Sequence, residues 1–403
     1  MTATRQPAQP RPGGPKRARR SGFVMVWLGI AALVVATSAV AALRSDTTTP
    51  APAPAPALQG DLDAMVAAGT PGAVLLVRDR NQVTRLTAGV AELATKRAMT
   101  AGDSYRIASL TKTYVATVVL QLAGEGRLRL TDTVERWLPG LVPKGNRITV
   151  HQLLNHTSGL YDHERDPQVL KPYLSGNLGY YWSPLRLVKL AVTRKARFAP
   201  GATKISSYSS TNTNYLVLGL IVERVTGNPL GVELKRRIFQ PLRLTRTTYP
   251  TKQTQLPSPY AHGYFLLGGK PPLVDLSAFS PSLSGPAGAI VSNVDDVAGF
   301  YRALFAGRLL RPKLLKAMMR TIPGGPDSDL KQREGYGLER FPTSCGAAWG
   351  HSGSFPGYKN YALSSADGKR QIVLMVNIDP AAEPEAARTL FYQLLDKAYC
   401  TAA

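Results

Sequence analysis

A serine and a lysine lie three residues apart in the segment A-S-L-T-K-T-Y-V-A, residues 108–116. On a helix, side chains at positions i and i+3 share a face with Cβ atoms about 5–6 Å apart, so Lys112 can reach the hydroxyl of Ser109. A serine paired with a deprotonated lysine is a nucleophile with its base, which is the chemistry of acyl transfer. The same spacing occurs at Ser328 and Lys331. Spacing alone therefore does not distinguish a catalytic pair from a helix cap beside an exposed lysine.

The surroundings of the two pairs differ. Apolar residues recur with helical spacing through residues 111–125, which predicts a buried helix. A dry helix start would lower the pKa of Lys112, and we expect the free N–H groups there, including that of Ser109, to form half of an oxyanion hole. The pair at Ser328 lies in the polar segment G-G-P-D-S-D-L-K, which indicates a solvated loop.

Two polar stretches further along the chain strengthen the catalytic interpretation. S-S-Y-S-S-T-N-T-N-Y, residues 206–215, clusters hydroxyls and amides before an apolar helix, although a helix-capping loop explains them equally well. G-H-S-G-S-F-P-G-Y, residues 350–358, has small residues that let a strand approach a substrate, with the N–H of Ser354 as the second oxyanion donor. The alternative for this stretch is an ordinary glycine-rich turn.

The elements that must position these residues come from both ends of the chain. Residues 72–78 and 83–90 have the composition of a β-hairpin, and residues 371–377 have that of a further strand. Residues 132–225 are mostly helical in pattern, and residues 383–399 predict a final amphipathic helix. We therefore expect an α/β fold with a helical region inserted between the strands.

The amino-terminal part has a different composition. Residues 1–22 form a basic tail, and residues 23–43 are free of charge and long enough to cross a bilayer. A membrane anchor with its amino terminus in the cytoplasm is the expectation, and a cleavable signal peptide ending near Ala39-Val40-Ala41 is the alternative. Both export the protein. The Pro/Ala/Thr-rich residues 44–57 are expected to be an extended linker.

The amino-acid composition and net charge limit the kinds of partner that the protein can bind. With 44% hydrophobic residues the chain can bury a sizeable core. The net charge is +23, and the six basic residues of the tail account for six of it, which leaves +17 for the rest. Such a field attracts anionic lipid or an acidic polymer, but the sequence has no nucleic-acid motif, so we expect no nucleic-acid partner.

The two cysteines, Cys345 and Cys400, are an even count in an exported protein. One disulfide joining the carboxyl-terminal tail to the body is the expectation, and two buried thiols are the alternative. Cysteine and histidine spacing does not fit a metal site: His151 and His156 are five residues apart and no Cys-x-x-Cys occurs. The sequence predicts neither a metal nor a cofactor.

Three motifs in order carry a resemblance to a family: Ser109-x-x-Lys112, the tyrosine stretch, and His351-Ser352-Gly353. This order resembles the serine penicillin-recognising enzymes, in the branch of class C β-lactamases and serine D-alanyl-D-alanine carboxypeptidases. The resemblance covers about residues 58–400. It implies a β-lactamase-like catalytic domain over residues 58–403, with an antiparallel sheet flanked by helices and a helical subdomain inserted at about residues 125–285.

The resemblance also implies roles. Ser109 would be acylated, Lys112 would help to deprotonate it, and a tyrosine would carry the proton to the leaving group. His351, with Ser352 and Gly353, would bind substrate from a position where relatives often have lysine, and histidine there is characteristic of the carboxypeptidases. Arg340 resembles an arginine that such carboxypeptidases keep near the terminal carboxylate of the substrate.

The middle motif departs from the family pattern of Tyr-x-Asn before a helix. We assign the proton-carrying role to Tyr208, because no serine has a comparable pKa or reach. Counting back from the helix instead puts Ser210 at the tyrosine position and Asn212 at the asparagine position. Both remain candidates for substrate binding.

The resemblance implies a membrane-tethered D-alanyl-D-alanine carboxypeptidase that acts on peptidoglycan stem peptides outside the cytoplasm. A class C-like β-lactamase, which would take β-lactams, and an esterase or D-amino-acid amidase use the same acyl-enzyme. A catalytically inactive relative that binds cell-wall peptide is the further alternative.

If Tyr208 carries the proton, Tyr208→Phe slows acylation by about 10²-fold or more, because the phenolic proton is lost and the ring is kept. Stopped-flow acylation by a fluorescent penicillin measures the rate. An unchanged rate would assign the role to another residue.

Overall fold

The computed structural model describes residues 55–203, 211–266, 271–324, 330–379 and 382–401. Within these ranges, nine strands form one antiparallel sheet in the order β3-β2-β1-β13-β12-β11-β10-β9-β8, and two strand pairs lie apart from it, β4 with β7 and β5 with β6. The strands are β1 (Gly72–Asp79), β2 (Gln82–Glu92), β3 (Arg97–Ala98), β4 (Tyr105–Arg106), β5 (Tyr264–Leu266), β6 (Leu273–Asp275), β7 (Val291–Ser292), β8 (Ile322–Pro323), β9 (Arg333–Glu334), β10 (Glu339–Thr343), β11 (Gly346–Phe355), β12 (Tyr358–Ser364) and β13 (Arg370–Val376).

The α-helices surround the sheet. They are α1 (Ala55–Ala67), α2 (Thr111–Gly124), α3 (Val134–Trp137), α4 (Val150–Leu154), α5 (Pro167–Leu174), α6 (Pro184–Ala191), α7 (Asn212–Thr226), α8 (Leu230–Leu234), α9 (Val294–Phe305), α10 (Pro312–Met318) and α11 (Glu385–Thr401). Helices α3 to α8 fall within residues 125–285, where the strands among the described residues are the short β5 and β6 and much of the chain is irregular.

The sheet is built from both ends of the chain, as the sequence predicts. Strand β1 pairs with β2 through the predicted hairpin, and on its other side it pairs with β13, for example Ala73 with Val376. Alternate residues of β1 enter different cores: Ala73 and Leu75 pack with the terminal helices α1 and α11, whereas Val74 and Leu76 pack with the helical part. The period of two in side-chain direction therefore buries both faces of this strand.

Helix α2 is the centre of the larger core. Of its 14 residues, 11 are buried, so the helix predicted over residues 111–125 is confirmed. A helix that is buried nearly all round cannot turn or slide without opening the core. Residues at its amino-terminal end are therefore held in fixed positions.

One predicted boundary is wrong. Residues 55–57 belong to helix α1, although the sequence analysis placed them in the linker of residues 44–57. Proline is tolerated in the first turn of a helix because its missing N–H has no partner there, and Pro56 is the second residue of α1. The predicted anchor, residues 23–43, lies outside the described residues. Within the ranges that the structure describes, no helix has the length and apolar character needed to cross a membrane.

Cys345 and Cys400 form a disulfide. Cys345 lies in the turn between β10 and β11, and Cys400 lies near the end of α11. The disulfide therefore joins the last helix to the turn that leads into β11.

Replacing both cysteines by serine removes a link between residues 55 positions apart. We expect the free energy of unfolding to fall by about 2–4 kcal/mol, because the cross-link restricts the unfolded chain. Urea unfolding measures the difference. Thiol reduction should shift the wild-type curve to that of the variant and leave the variant unchanged, and an unshifted wild-type curve would contradict the prediction.

Candidate active site

Ser109 lies in a 3-10 turn, Ala108–Leu110, immediately before helix α2. Lys112, in the first turn of α2, donates a hydrogen bond from Nζ to Ser109 Oγ at 2.6 Å. Ala108 has a φ of +52°, the left-handed region that non-glycine residues rarely adopt. Such backbone persists only when the surrounding contacts impose it, and it is frequent at functional sites. The turn thus presents Ser109 to its base.

The environment of Lys112 suits a base. Its side chain is buried, with 2% of the residue exposed, and Nζ also donates to the carbonyl oxygen of Ala287 at 3.2 Å. Burial lowers the pKa of Lys112, because the ammonium form loses its hydration. Nearby carboxyl groups partly oppose this shift; they belong to Glu164, Asp162, Glu339 and Glu334. The amine can therefore accept a proton closer to neutral pH than an exposed lysine can.

Strand β11 runs against the nucleophile. A methyl group on Gly353 would lie 2.6 Å from the carbonyl oxygen of Ile107 and 2.9 Å from the nitrogen of Ser109, so only glycine fits. Ser354, the next residue on β11, is exposed. The structure thus brings together the two segments whose N–H groups, those of Ser109 and Ser354, are the predicted oxyanion donors.

His351 lies two residues before Gly353 on β11 and is buried. Its Nδ1 is 2.5 Å from the carbonyl oxygen of Ser352 and 3.5 Å from Oε2 of Glu339. The same carboxylate oxygen accepts the N–H of Ser352 at 2.6 Å. Burial lowers the pKa of His351; the carboxylate of Glu339 opposes this shift, and the positive charge of Lys112 adds to it. The imidazole is therefore neutral at neutral pH.

Two glutamates near this strand were missed by the sequence analysis. Glu339 and Glu334 are directly opposite each other on β10 and β9, and both are buried. Burial raises the pKa of Glu334 well above its usual range, and the charge of Glu339 raises it further. A sequence signal for Glu339 did exist. It lies in the segment Y-G-L-E-R-F, whose apolar residues indicate burial, and a buried carboxylate needs a partner.

The beginning of α7 carries the described part of the middle motif. Tyr208 and Ser210 lie outside the described residues. Asn212 is the first residue of α7, and its N–H bonds to Asp162 Oδ1 at 3.2 Å. The preceding N–H, that of Thr211, donates to Nδ1 of His156 at 3.2 Å.

His156 is a third residue that the sequence analysis did not assign to the site. It is buried, and burial followed by the charge of Lys112 lowers its pKa to about 3. It therefore stays neutral and acts as an acceptor for the helix start. Asn214 is also buried, and its Oδ1 accepts the hydroxyl of Ser158 at 2.6 Å. These contacts hold the helix that follows the motif containing Tyr208.

Arg340 lies on β10, opposite Trp349 of β11. Among the residues that the structure describes, no hydrogen bond or ion pair joins Arg340 to Ser109 or His351. Its assignment to a substrate carboxylate remains a prediction. In the same described ranges no group of three or more His, Cys, Asp or Glu residues is arranged to hold a metal ion.

The site can be compared with known proteins. The model of the beta-lactamase family matches residues 58–397. The chain belongs to the beta-lactamase family. A D-stereospecific amidohydrolase from Streptomyces sp. has 38% identity and a TM-score of 0.75 over 83% of this chain and 97% of that one. A D-amino acid amidase from Ochrobactrum anthropi has 27% identity and a TM-score of 0.75 over 85% and 96%.

A curated relative is also similar to this beta-lactamase-family chain. The putative penicillin-binding protein PbpX of Bacillus subtilis is 29% identical over 331 residues, which are 82% of this chain and 76% of the relative. The predicted family is confirmed, and the protein is a serine hydrolase of the beta-lactamase and penicillin-binding protein family.

The geometry indicates how a beta-lactamase-family site of this kind works. A neutral Lys112 takes the proton of Ser109 Oγ as the oxygen attacks a carbonyl carbon. The negative charge that develops on the carbonyl oxygen is stabilised by N–H groups at the start of α2 and on β11. Protonation of the leaving group completes acylation, and water then releases the acyl group from Ser109.

Gly353→Ala tests the contact between β11 and the nucleophile. The added methyl group must push the strand away from Ser109, and a displacement of about 1 Å costs roughly 10²-fold in rate. We expect that loss in the acylation rate. Gly102→Ala is the matched control, since its methyl group would lie 3.8 Å from the hydroxyl oxygen of Thr100, an ordinary van der Waals contact. Wild-type acylation by the Gly353 variant would contradict the role of the contact.

Proposed function

We propose that this protein is a D-stereospecific serine amidohydrolase. It forms an acyl-enzyme between Ser109 and the carbonyl group of a D-amino acid residue. The observation that carries the proposal is the 2.6 Å hydrogen bond between Ser109 Oγ and a lysine amine that is withdrawn from water. A buried amine beside a hydroxyl at a helix start is the arrangement that nucleophilic catalysis requires.

The proposed D configuration of the substrate is inferred from the relatives. The names of the Streptomyces amidohydrolase and the Ochrobactrum amidase both specify the D configuration, and together they support a D-residue at the scissile carbonyl. The penicillin-binding relative supports acylation by β-lactams as well. A β-lactam can therefore serve as an acylating probe even if it is not the natural substrate.

Two leaving groups are consistent with such an acyl-enzyme. One is the terminal D-alanine of a peptidoglycan stem peptide, which the carboxypeptidase prediction requires. The other is ammonia or an amine from the amide of a D-amino acid. A catalytically inactive protein that only binds cell-wall peptide would not need the Ser109–Lys112 hydrogen bond, so this contact supports catalysis.

We further propose that the enzyme acts outside the cytoplasm, tethered by residues 23–43 or released after cleavage. The Cys345–Cys400 disulfide supports this location, because such bonds persist in oxidising compartments. The apolar residues 23–43 after a basic tail support the same conclusion.

A paired comparison tests the proposed activity. The D and L forms of alanine p-nitroanilide are offered to the wild type, and nitroaniline release is followed. We expect Ser109-dependent hydrolysis of the D form at least about 10²-fold faster than of the L form, because the acyl side chain must fit one face of a fixed site. Labelling of the protein by a fluorescent penicillin is measured alongside.

Ser109→Ala should abolish both hydrolysis and labelling. Ser328→Ala is the matched control, because Ser328 has the same spacing to a lysine, and it should behave as the wild type. Absence of both hydrolysis and labelling in the wild type would reject the proposed function.

A further inference from the structure

Helix α9, helix α10 and the turn between them carry charge of one sign. From residue 297 to residue 326 the sequence has six basic residues and no acidic one. All six are exposed, and together they form the basic surface of the protein. They are Arg302 on α9, Arg308 and Arg311 in the turn, Lys313 and Lys316 on α10, and Arg320 after it.

The basic surface lacks acidic partners. Protein surfaces usually intersperse charges of both signs. Among the residues that the structure describes, none of the six basic side chains forms an ion pair, and two nearby carboxylates are paired with other cations. Asp295, at the start of α9, pairs with Arg85, and Glu125, which lines a groove together with Arg311, pairs with Arg237. The positive charge is therefore available to an anionic partner.

The packing of α10 holds its cations toward solvent. Leu314 and Met318 pack in the larger core, and a methyl group on Gly124 would lie 2.8 Å from Cδ1 of Leu314. Gly124 is the last residue of α2, so α10 rests directly on the end of that helix. Lys313 and Lys316 are three residues apart, which places them on one exposed face. The basic surface is thus part of the rigid fold.

The amino-terminal part of the chain enters the fold at the same end of the sheet. Arg302 donates to Oδ1 of Asn81 in the β1–β2 turn at 3.2 Å, so α9 ends beside the carboxyl end of β1. Helix α1 leads into the other end of β1 and runs back along it. Its Gln59 donates to the carbonyl oxygen of Thr87, which lies opposite Val74 of β1. The start of α1 therefore points toward the end of the sheet where α9 ends.

This arrangement brings the predicted anchor within reach of the basic surface. The eleven residues 44–54 separate residues 23–43 from α1, and eleven residues span at most about 40 Å. Ser109 lies at the opposite end of α2 from α10, and the 14 residues of this helix span about 21 Å. A bilayer in contact with the basic surface would therefore leave the nucleophile on the side away from the lipid.

We propose that the basic surface docks on anionic phospholipid head groups at the outer face of the membrane and so holds the tethered enzyme with its active site away from the bilayer. Exposed cations are attracted to an anionic lipid surface within about a Debye length of it, and a membrane tether keeps them near that distance. This inference rests on the tethered location proposed above and does not depend on the identity of the substrate.

Lysine footprinting of the full-length protein tests the docking. The protein is reconstituted in nanodiscs of phosphatidylcholine alone or of an equimolar mixture with phosphatidylglycerol, and acetylation by a water-soluble active ester is followed by mass spectrometry. We expect Lys313 and Lys316 to react at least about fivefold more slowly in the anionic discs, because head groups cover them. Lys171, exposed on α5, is the internal reference and should react equally in both. About 0.5 M NaCl should remove the protection by screening.

A charge-reversal variant connects the protection to the basic surface. Arg308→Glu/Arg320→Glu keeps both reporter lysines and removes neighbouring cations that form no ion pair, so the protection should be lost. Lys189→Glu/Lys195→Glu changes the net charge by the same amount at exposed positions in and just after α6, and it should keep the protection. Hydrolysis of D-alanine p-nitroanilide in the same discs shows that each variant is folded.

The outcomes separate this inference from the proposed function. Equal reactivity of Lys313 and Lys316 in both kinds of disc, with hydrolysis intact, would show that the inference is wrong while the amidohydrolase proposal stands. Protection without hydrolysis or penicillin labelling would reject the amidohydrolase and leave the docking supported. Protection by soluble poly(glycerol phosphate) in neutral discs, without protection by anionic lipid, would assign the surface to a wall polymer and overturn the inference. A protein that washes off the discs would overturn both the tether and the docking.

Discussion

The loss of water around one lysine amine is the constraint on which the rest of the site depends. Lys112 is buried against Ser109, and its pKa is lowered because the charged form is no longer hydrated. The carboxyl groups that moderate this shift come from two sources. Asp162 and Glu164 belong to the helical part, whereas Glu334 and Glu339 belong to the neighbouring strands β9 and β10 of the sheet. Both the helical part and the sheet therefore contribute to the pKa of Lys112.

Backbone contact imposes the second constraint. The left-handed conformation of Ala108 and the absence of a side chain at Gly353 allow the nucleophile turn and β11 to touch. Helix α2 is buried on nearly all sides, so it cannot move to relieve a clash. Within the sheet, pairing with β10 on one side and β12 on the other holds β11 in place. Residues from distant parts of the sequence therefore meet with little freedom.

Patterns among neighbouring residues of the sequence predicted the helices and strands that such patterns specify. The β1–β2 hairpin, α2 and α7 follow from apolar periodicity, and the Ser109–Lys112 contact follows from helical spacing. Strand β11 was not identified over its full length, because its glycines and serines are also typical of turns. The buried partners of the site, such as Glu339 and His156, were missed because their role depends on contacts between residues far apart in the chain. Tyr208 stays a prediction.

The contrast between the charge of the whole chain and that of its site has a physical consequence. The chain carries a net charge of +23, yet carboxyl groups gather around Lys112 and His351. Surface charges are screened by salt over about 8–10 Å, whereas buried charges act at short range in a medium of low dielectric constant. In salt, the surface charges therefore act mainly on groups that come within about 10 Å of them. The buried carboxyl groups act within the site, where they partly oppose the lowering of the Lys112 pKa by burial.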